Sequence, residues 1–347
     1  MRSFSGSLFV AALCLPIAGW WGWHNGGGWG SVLAAVWLII VLGIMEVSLS
    51  FDNAVVNASV LRDWSPFWQK LFLTVGILVA VFGMRLIFPV VIVSTTSGMG
   101  MFETWNLALD NPNEYSARLI AHHQEISAFG GMFLMLVFLN FIFDEEKDVH
   151  WLGWIEKKLA ALGKVNAVSV FVALITLVAA VGQVDEVKKF DVLIAGLAGI
   201  MVYLGVDVLS NLLESEEEND APVKAMVHKG SIGGFLYLEV LDASFSFDGV
   251  IGAFAITKDI VIIMLGLAVG AMFVRSMTVY LVRKGTLEEF VYLEHGAHWA
   301  IGVLAVIMML SMQFHVPEVV TGFMGVVLIG LSLWSSVKYR RAQEALS

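Results

Sequence analysis

Two eight-residue stretches place acids and hydroxyls inside otherwise apolar sequence: EVSLSFDN at 46–53 and DASFSFDG at 242–249. An acid opens each, Glu46 and Asp242. Ser48 and Ser244, Ser50 and Ser246, Phe51 and Phe247, and Asp52 and Asp248 follow in register. The pattern describes one site built twice. Its donors are carboxylates, hydroxyls and the Asn53 amide, with backbone carbonyls available wherever a helix breaks. All are oxygens, the set that hard divalent ions such as Mn²⁺, Ca²⁺ and Mg²⁺ prefer. Zn²⁺ or Cu⁺ would call for Cys or His, and the motif holds neither.

On a helix, Ser48 and Asp52 are i, i+4 neighbours, as are Glu46 and Ser50, and the second copy repeats both pairs. Glu46 and Asp52 stand about 120° apart, so they meet one ion only if the helix bends or each faces a different neighbour. Asn53 and Gly249, directly after the aspartates, are the expected break points. Four ionised, unpaired acids facing lipid would cost roughly 10 kcal/mol. They must face inward, pair, or be protonated. Arg85 and Arg275 are the available cations, as structural partners or as gates. Two arginines do not neutralise Glu46, Asp52, Asp242 and Asp248, and Glu239 adds a fifth acid. A cross-link between helices explains one such acid, whereas a doubled motif with surplus negative charge suits a cation. Carboxylates at that depth also relay protons, so proton exchange is the natural coupling.

The elements that must hold these groups are long apolar helices. The chain of 347 residues is 58% hydrophobic and 14% charged, which excludes an ordinary soluble globule. Ten apolar segments are expected, near 6–23, 30–60, 69–93, 118–143, 165–182, 190–213, 231–256, 259–282, 289–312 and 317–337. The first could serve as a signal peptide, but Trp20, Trp21 and Trp23 at its end look more like an interfacial anchor than a cleavage site. With Arg85 and Arg275 set aside, 14 of the other 18 Lys and Arg fall on the side of the N-terminus and 4 on the other, which predicts both termini in the cytoplasm. With one cysteine, Cys14, there is neither an intramolecular disulfide nor a thiolate cage.

Asp52 and Asp248 lie five segments apart, so their helices run in opposite directions. The expected fold is all-α and polytopic: two inverted repeats, 1–182 and 183–347, with broken helices at a midplane site. Gly76 and Arg85 match Gly266 and Arg275 at the same spacing. The fourth and ninth segments share only polar starts, with His122, His123 and Glu125 in one and Glu294, His295 and His298 in the other. These histidines read as helix-end residues or as ancillary metal or proton groups. The acidic run beginning at 214, within a loop spanning 214–230, reads as a solvated cytoplasmic linker, or as a recruiter of cations. No basic stripe predicts nucleic-acid binding.

The doubled Ser-Phe-Asp-Asn/Gly motif resembles that of the TerC family of integral membrane proteins, placed near the LysE exporter superfamily. The similarity covers roughly residues 30–340. It implies metal export across a bacterial inner membrane, with Mn²⁺ the leading cargo and Ca²⁺ second, and no prosthetic group. The carry-over falls on Glu46, Asp52, Asn53, Asp242, Asp248 and Gly249; Gly249 stands where the first copy has Asn53, so the amide occurs once. Tellurite, an anion, does not suit acidic sites. Two rivals are an exporter of a small amino compound and a non-transporting factor for membrane-protein assembly. An enzyme is not expected, since HExxH and GxSxG are absent from the sequence. The partners expected are the ion and the bilayer, and the pattern is compatible with a homo-oligomer.

Overall fold

The computed structural model describes residues 4–62, 64–76, 78–145, 147, 149–164, 167–214, 230–284, 290–314 and 316–344. Among these there is no strand. Backbone groups in hydrocarbon must be satisfied within their own segment, and uninterrupted Leu, Val, Ala and Ile runs do so as helices.

The helices are α1 (Ser5–Gly26), α2 (Trp29–Leu49), α3 (Phe51–Leu61), α4 (Pro66–Ser97), α5 (Met101–Asp110), α6 (Pro112–Ala121), α7 (His123–Ile142), α8 (Gly153–Ala160), α9 (Val168–Val181), α10 (Lys189–Glu214), α11 (Ile232–Ile256), α12 (Ile260–Lys284), α13 (Leu293–Ser311) and α14 (Glu318–Glu344). Gly27 closes α1 in the left-handed region at φ 66°, its N–H donating to Trp23 O. Pro66 opens α4, where its missing N–H costs nothing. Within α4, Phe72–Gly76 and Val79–Ile87 are π-helical.

Eight helices among the described residues are long and apolar enough to cross a membrane, or nine if the bent pair α8 and α9 counts as one span. The chain is therefore a membrane-embedded helical protein. Each expected segment is largely helical, although 30–60 and 118–143 each fall across two helices. Two differ in kind. Segment 165–182 yields only the 14 residues of α9, which α8 meets at 104°. Segment 231–256 forms the 25-residue α11, but with Glu239, Asp242 and Asp248 in it. Most of the acidic run beginning at 214 lies outside the described residues.

The expected breaks are corrected. The first copy breaks at Ser50, ahead of Asp52 and Asn53, where Ser50 has φ −105° and ψ 17°. The second copy does not break: α11 runs straight through Gly249. Gly249 is a contact surface instead, since a Cβ there would stand 2.8 Å from Glu46 Oε2.

Two apolar cores form. One gathers Val55 and Leu61 of α3, Phe133 and Leu136 of α7, Leu238 and Leu241 of α11, and Ile301 and Ala305 of α13. The other gathers Ile39 and Leu42 of α2, Val90 and Val93 of α4, Val250 and Phe254 of α11, and Ile263 and Leu267 of α12. The path from α2 into α3 runs from the second core to the first, and α11 runs from the first to the second. Both polar motifs thus sit where their helices cross the seam. Around it, α2 packs on α12, α11 on α4, and α13 on α3 and α7. Wide apolar faces of α1, α10 and α14 point outward, with Phe9, Phe190 and Phe323 all more than 60% exposed, as lipid-facing surface requires.

Candidate functional site

Glu46 is wholly buried and ion-paired. Arg85 Nη2 lies 2.5 Å from its Oε1, which also accepts from Ser50 Oγ at 3.0 Å. The expected i, i+4 contact of Glu46 and Ser50 is therefore made. The other one is not: Ser48 is exposed and donates to Ile44 O, while Asp52 is buried beyond the Ser50 break.

Asp242, on α11, accepts from Asn53 Nδ2 and, at 3.5 Å, from Asn57 Nδ2. These amides stand one turn apart on α3 and face the same carboxylate. Asp52 turns away from Glu46: a Cβ at Gly325 of α14 would lie 3.0 Å from Asp52 Oδ2. Of the two ways Glu46 and Asp52 could serve the site the helix shows both, a break between them at Ser50 and different neighbours for each. Glu239 lies against Gly76 of α4, where a Cβ would collide with its Oε1. Gly266 of α12 is pressed in the same manner against Leu42 of α2. The two glycines matched in the sequence thus serve reciprocal contacts, α4 on α11 and α12 on α2.

Between these groups is a cavity of about 40 Å³ lined by Asn53, Asn57, Gly76, Arg85, Asp242, Arg275 and Thr278, with apolar neighbours. At roughly 10–15 Å³ per water it has room for about three waters. Around the seam, six buried oxygens have no hydrogen-bond partner: Glu46 Oε2, Asn53 Oδ1, Asn57 Oδ1, both oxygens of Glu239, and Ser246 Oγ. The Nε atoms of Arg85 and Arg275 also have none. So Arg85 pairs with an acid, through Nη2, as expected. The Asp248 side chain lies outside the described residues.

The ancillary residues are not at this cavity. His123 and Glu125 stand at the start of α7, His123 Nε2 lying 3.5 Å from Ser127 Oγ and Glu125 pairing with His122 at 3.4 Å. Glu294 and His298 stand at the start of α13, where His298 stacks on Phe141 at 3.7 Å and its Nδ1 meets Glu294 O at 2.9 Å. No three His, Cys, Asp or Glu among the described residues are grouped as a metal ion would require. The reason is pairing: Arg85 takes Glu46, the amides take Asp242, and each remaining acid faces a separate neighbour.

A second polar node lies at the α13 start. Glu156 of α8 is wholly buried. It accepts from Trp299 Nε1 at 2.9 Å and from the N–H groups of Trp151 and Leu152 at 3.1 and 3.3 Å, and His295 Nδ1 lies 3.0 Å from its Oε2. Burial alone would push this carboxyl up. The bonds from His295 and Trp299, the His295 charge and the Leu152 N–H hold it down at about 2 instead. Burial also lowers the Lys147 ammonium, against the pull of Glu156 and Glu294. The Glu156 value falls below its ordinary 4.5, so its stabilisation is complete above about pH 4.5 and drains away as pH falls toward 2. At neutral pH it amounts to about 3 kcal/mol. Thermal unfolding in detergent should show this acid loss, and Glu156→Gln should flatten it. An unchanged pH slope in that variant would refute the assignment.

Asn57 was not among the residues singled out from the sequence, although an amide four residues after Asn53 in apolar sequence is a readable signal. Thr278, Glu156 and Trp299 carried none, because their partners are distant in sequence.

No curated protein and no solved structure matches the chain. A family model does, over residues 51–343. That span takes in most of the chain, from the Phe51–Asn53 end of the first motif through the whole of the second, and on this basis the chain belongs to the family described as a protein of unknown function (DUF475).

Proposed function

We propose that this protein is a secondary transporter that exports divalent cations, Mn²⁺ first among them and Ca²⁺ second, in exchange for protons. The observation that carries the reading is the cavity at the seam, whose wall brings the Asp242 carboxylate beside the partnerless amide oxygens of Asn53 and Asn57. Buried polar atoms are normally satisfied, and a set of oxygens left together suits a hard cation. Charge agrees. Glu46, Asp52, Glu239 and Asp242 are four buried acids against Arg85 and Arg275, two acids in excess of the arginines. The reciprocal packing of α2 on α12 and α11 on α4 supports two inverted repeats rocking about the seam.

Two arginines on the cavity wall favour a second reading, export of a zwitterionic amino compound, its carboxylate on Arg85 and Arg275 and its amine on Asp242. Size argues against it. About 40 Å³ holds a dehydrated ion, whereas pockets for small organic molecules begin near roughly 300 Å³.

The deciding measurement is the metal content of bacterial cells with and without the protein after challenge with Mn²⁺, Ca²⁺, Zn²⁺ and Co²⁺. Selective lowering of Mn²⁺, indifferent to added lysine, is expected. Unchanged content for every metal, with the protein in the membrane, would reject cation export; lysine-sensitive efflux of an amino compound would establish the second reading.

A further inference from the structure

The cation-transport reading leaves Arg85 unexplained, because a fixed positive charge beside a cation site weakens it. We infer that Arg85 is a tethered rival of the cargo: its guanidinium and the transported cation take turns at the Glu46 carboxylate. This inference rests on that reading and adds a device that governs the same site.

The geometry is that of a plug. Glu46 is 0% and Arg85 6% exposed, so neither charge is satisfied by water. Arg85 holds Glu46 Oε1 through Nη2 and donates through Nη1 to Ala80 O at 2.6 Å. Its Nε has no partner, and the same side chain lines the cavity with Asp242. On the far side, Glu46 Oε2 is also partnerless and is bounded by Gly249. One carboxylate oxygen is thus taken by the arginine and the other, buried, is unpaired. A cation that reaches the unpaired oxygen meets the guanidinium across one carboxylate, and in a buried site like charges at that distance repel strongly. One of them must leave.

The segment carrying Arg85 is suited to leaving. Val79–Ile87 is a nine-residue π-helix, and Phe72–Gly76 is another stretch of the same kind. Such turns are rare, hold their hydrogen bonds less well than α-turns, and gather at functional sites. Gly76, Ala80, Val81 and Arg85 all come from this segment to the cavity wall. Reversion of one turn to α geometry shifts the register by one residue, about 100° of rotation, which swings Arg85 off Glu46. The gain for transport is that Glu46 keeps a positive partner whether or not cargo is bound, so the carrier avoids an uncompensated buried charge on its return stroke.

The test compares Mn²⁺ binding by the purified full chain in detergent with its transport in proteoliposomes. Arg85→Gln removes the rival, so Mn²⁺ is expected to bind about tenfold tighter or better. Exchange of Mn²⁺ for Mn²⁺ across the membrane should persist while net export falls by about the same factor. Arg85→Lys, which restores a charge, should return binding toward the wild-type value. Weaker or unchanged binding in Arg85→Gln, with the wild type binding normally, overturns the inference and leaves cation transport standing. A wild type that neither binds nor exchanges Mn²⁺ or Ca²⁺ overturns both. Should Arg85→Gln fail to fold, the wild type decides: Mn²⁺ should speed amide hydrogen exchange across 79–87, and unchanged or slower exchange there overturns the inference.

Discussion

Asp242→Asn is expected to abolish cation export while leaving the protein folded. The substitution preserves shape. The new side chain keeps an oxygen to accept from Asn53 and Asn57, and its amide can donate to Asn53 Oδ1, which has no partner now. What it removes is the only carboxylate on the cavity wall among the described residues. Loss of a buried charge that faces a cation typically costs several kcal/mol of binding. An effect of about 100-fold on export corresponds to about 2.7 kcal/mol. Export assays should be paired with gel filtration and thermal unfolding. Full export with normal folding would remove Asp242 from the site, and with it the role given to the cavity.

The second large effect is structural. Gly270→Leu should dismantle the contact of α2 with α12. A Cβ alone at that position would stand 2.9 Å from the Gly43 carbonyl oxygen and would collide with the Glu46 side chain. The obstacle is a helix backbone, so it does not give as a flexible side chain would. Gly266, one turn earlier, is pressed as closely against Leu42. A leucine must push the helices apart, and overpacking of this kind costs about 1–3 kcal/mol or more. Because Glu46 is the residue displaced, its pairing with Arg85 goes too, and breaking a buried pair costs about 3–5 kcal/mol. Loss of folded protein from the membrane is expected, with Gly270→Ala intermediate. Normal levels and melting of Gly270→Leu would mean that the two helices do not approach as described.

Membrane insertion and the helical class were legible in the sequence because they depend on composition and run length, which do not need a partner. The same holds for the doubled motif and for the glycines and arginines that follow it at equal spacing. The 120° offset of Glu46 and Asp52 was legible as well, but only as a choice between a bend and two neighbours. Tertiary structure gave both, a break at Ser50 and separate neighbours. Asp52 faces Gly325 of α14, a residue 273 positions away, and no local pattern announces such a contact. It also decided that Gly249 is a surface for Glu46 and not a hinge, since a glycine permits both and only the helix packed against it selects one.

Burial of several acids is a statement about composition, so the sequence alone established that they must be paired, protonated or bound to a cation. Which acid pairs with which cation depends on helix rotation and on the reach of each side chain. That is why the pairing of Arg85 with Glu46, 39 positions away, had to wait for the fold. The Glu156 node shows the same division more sharply. Of its residues only His295 stood out in sequence, and only the docking of α8 against the start of α13 makes them one buried network.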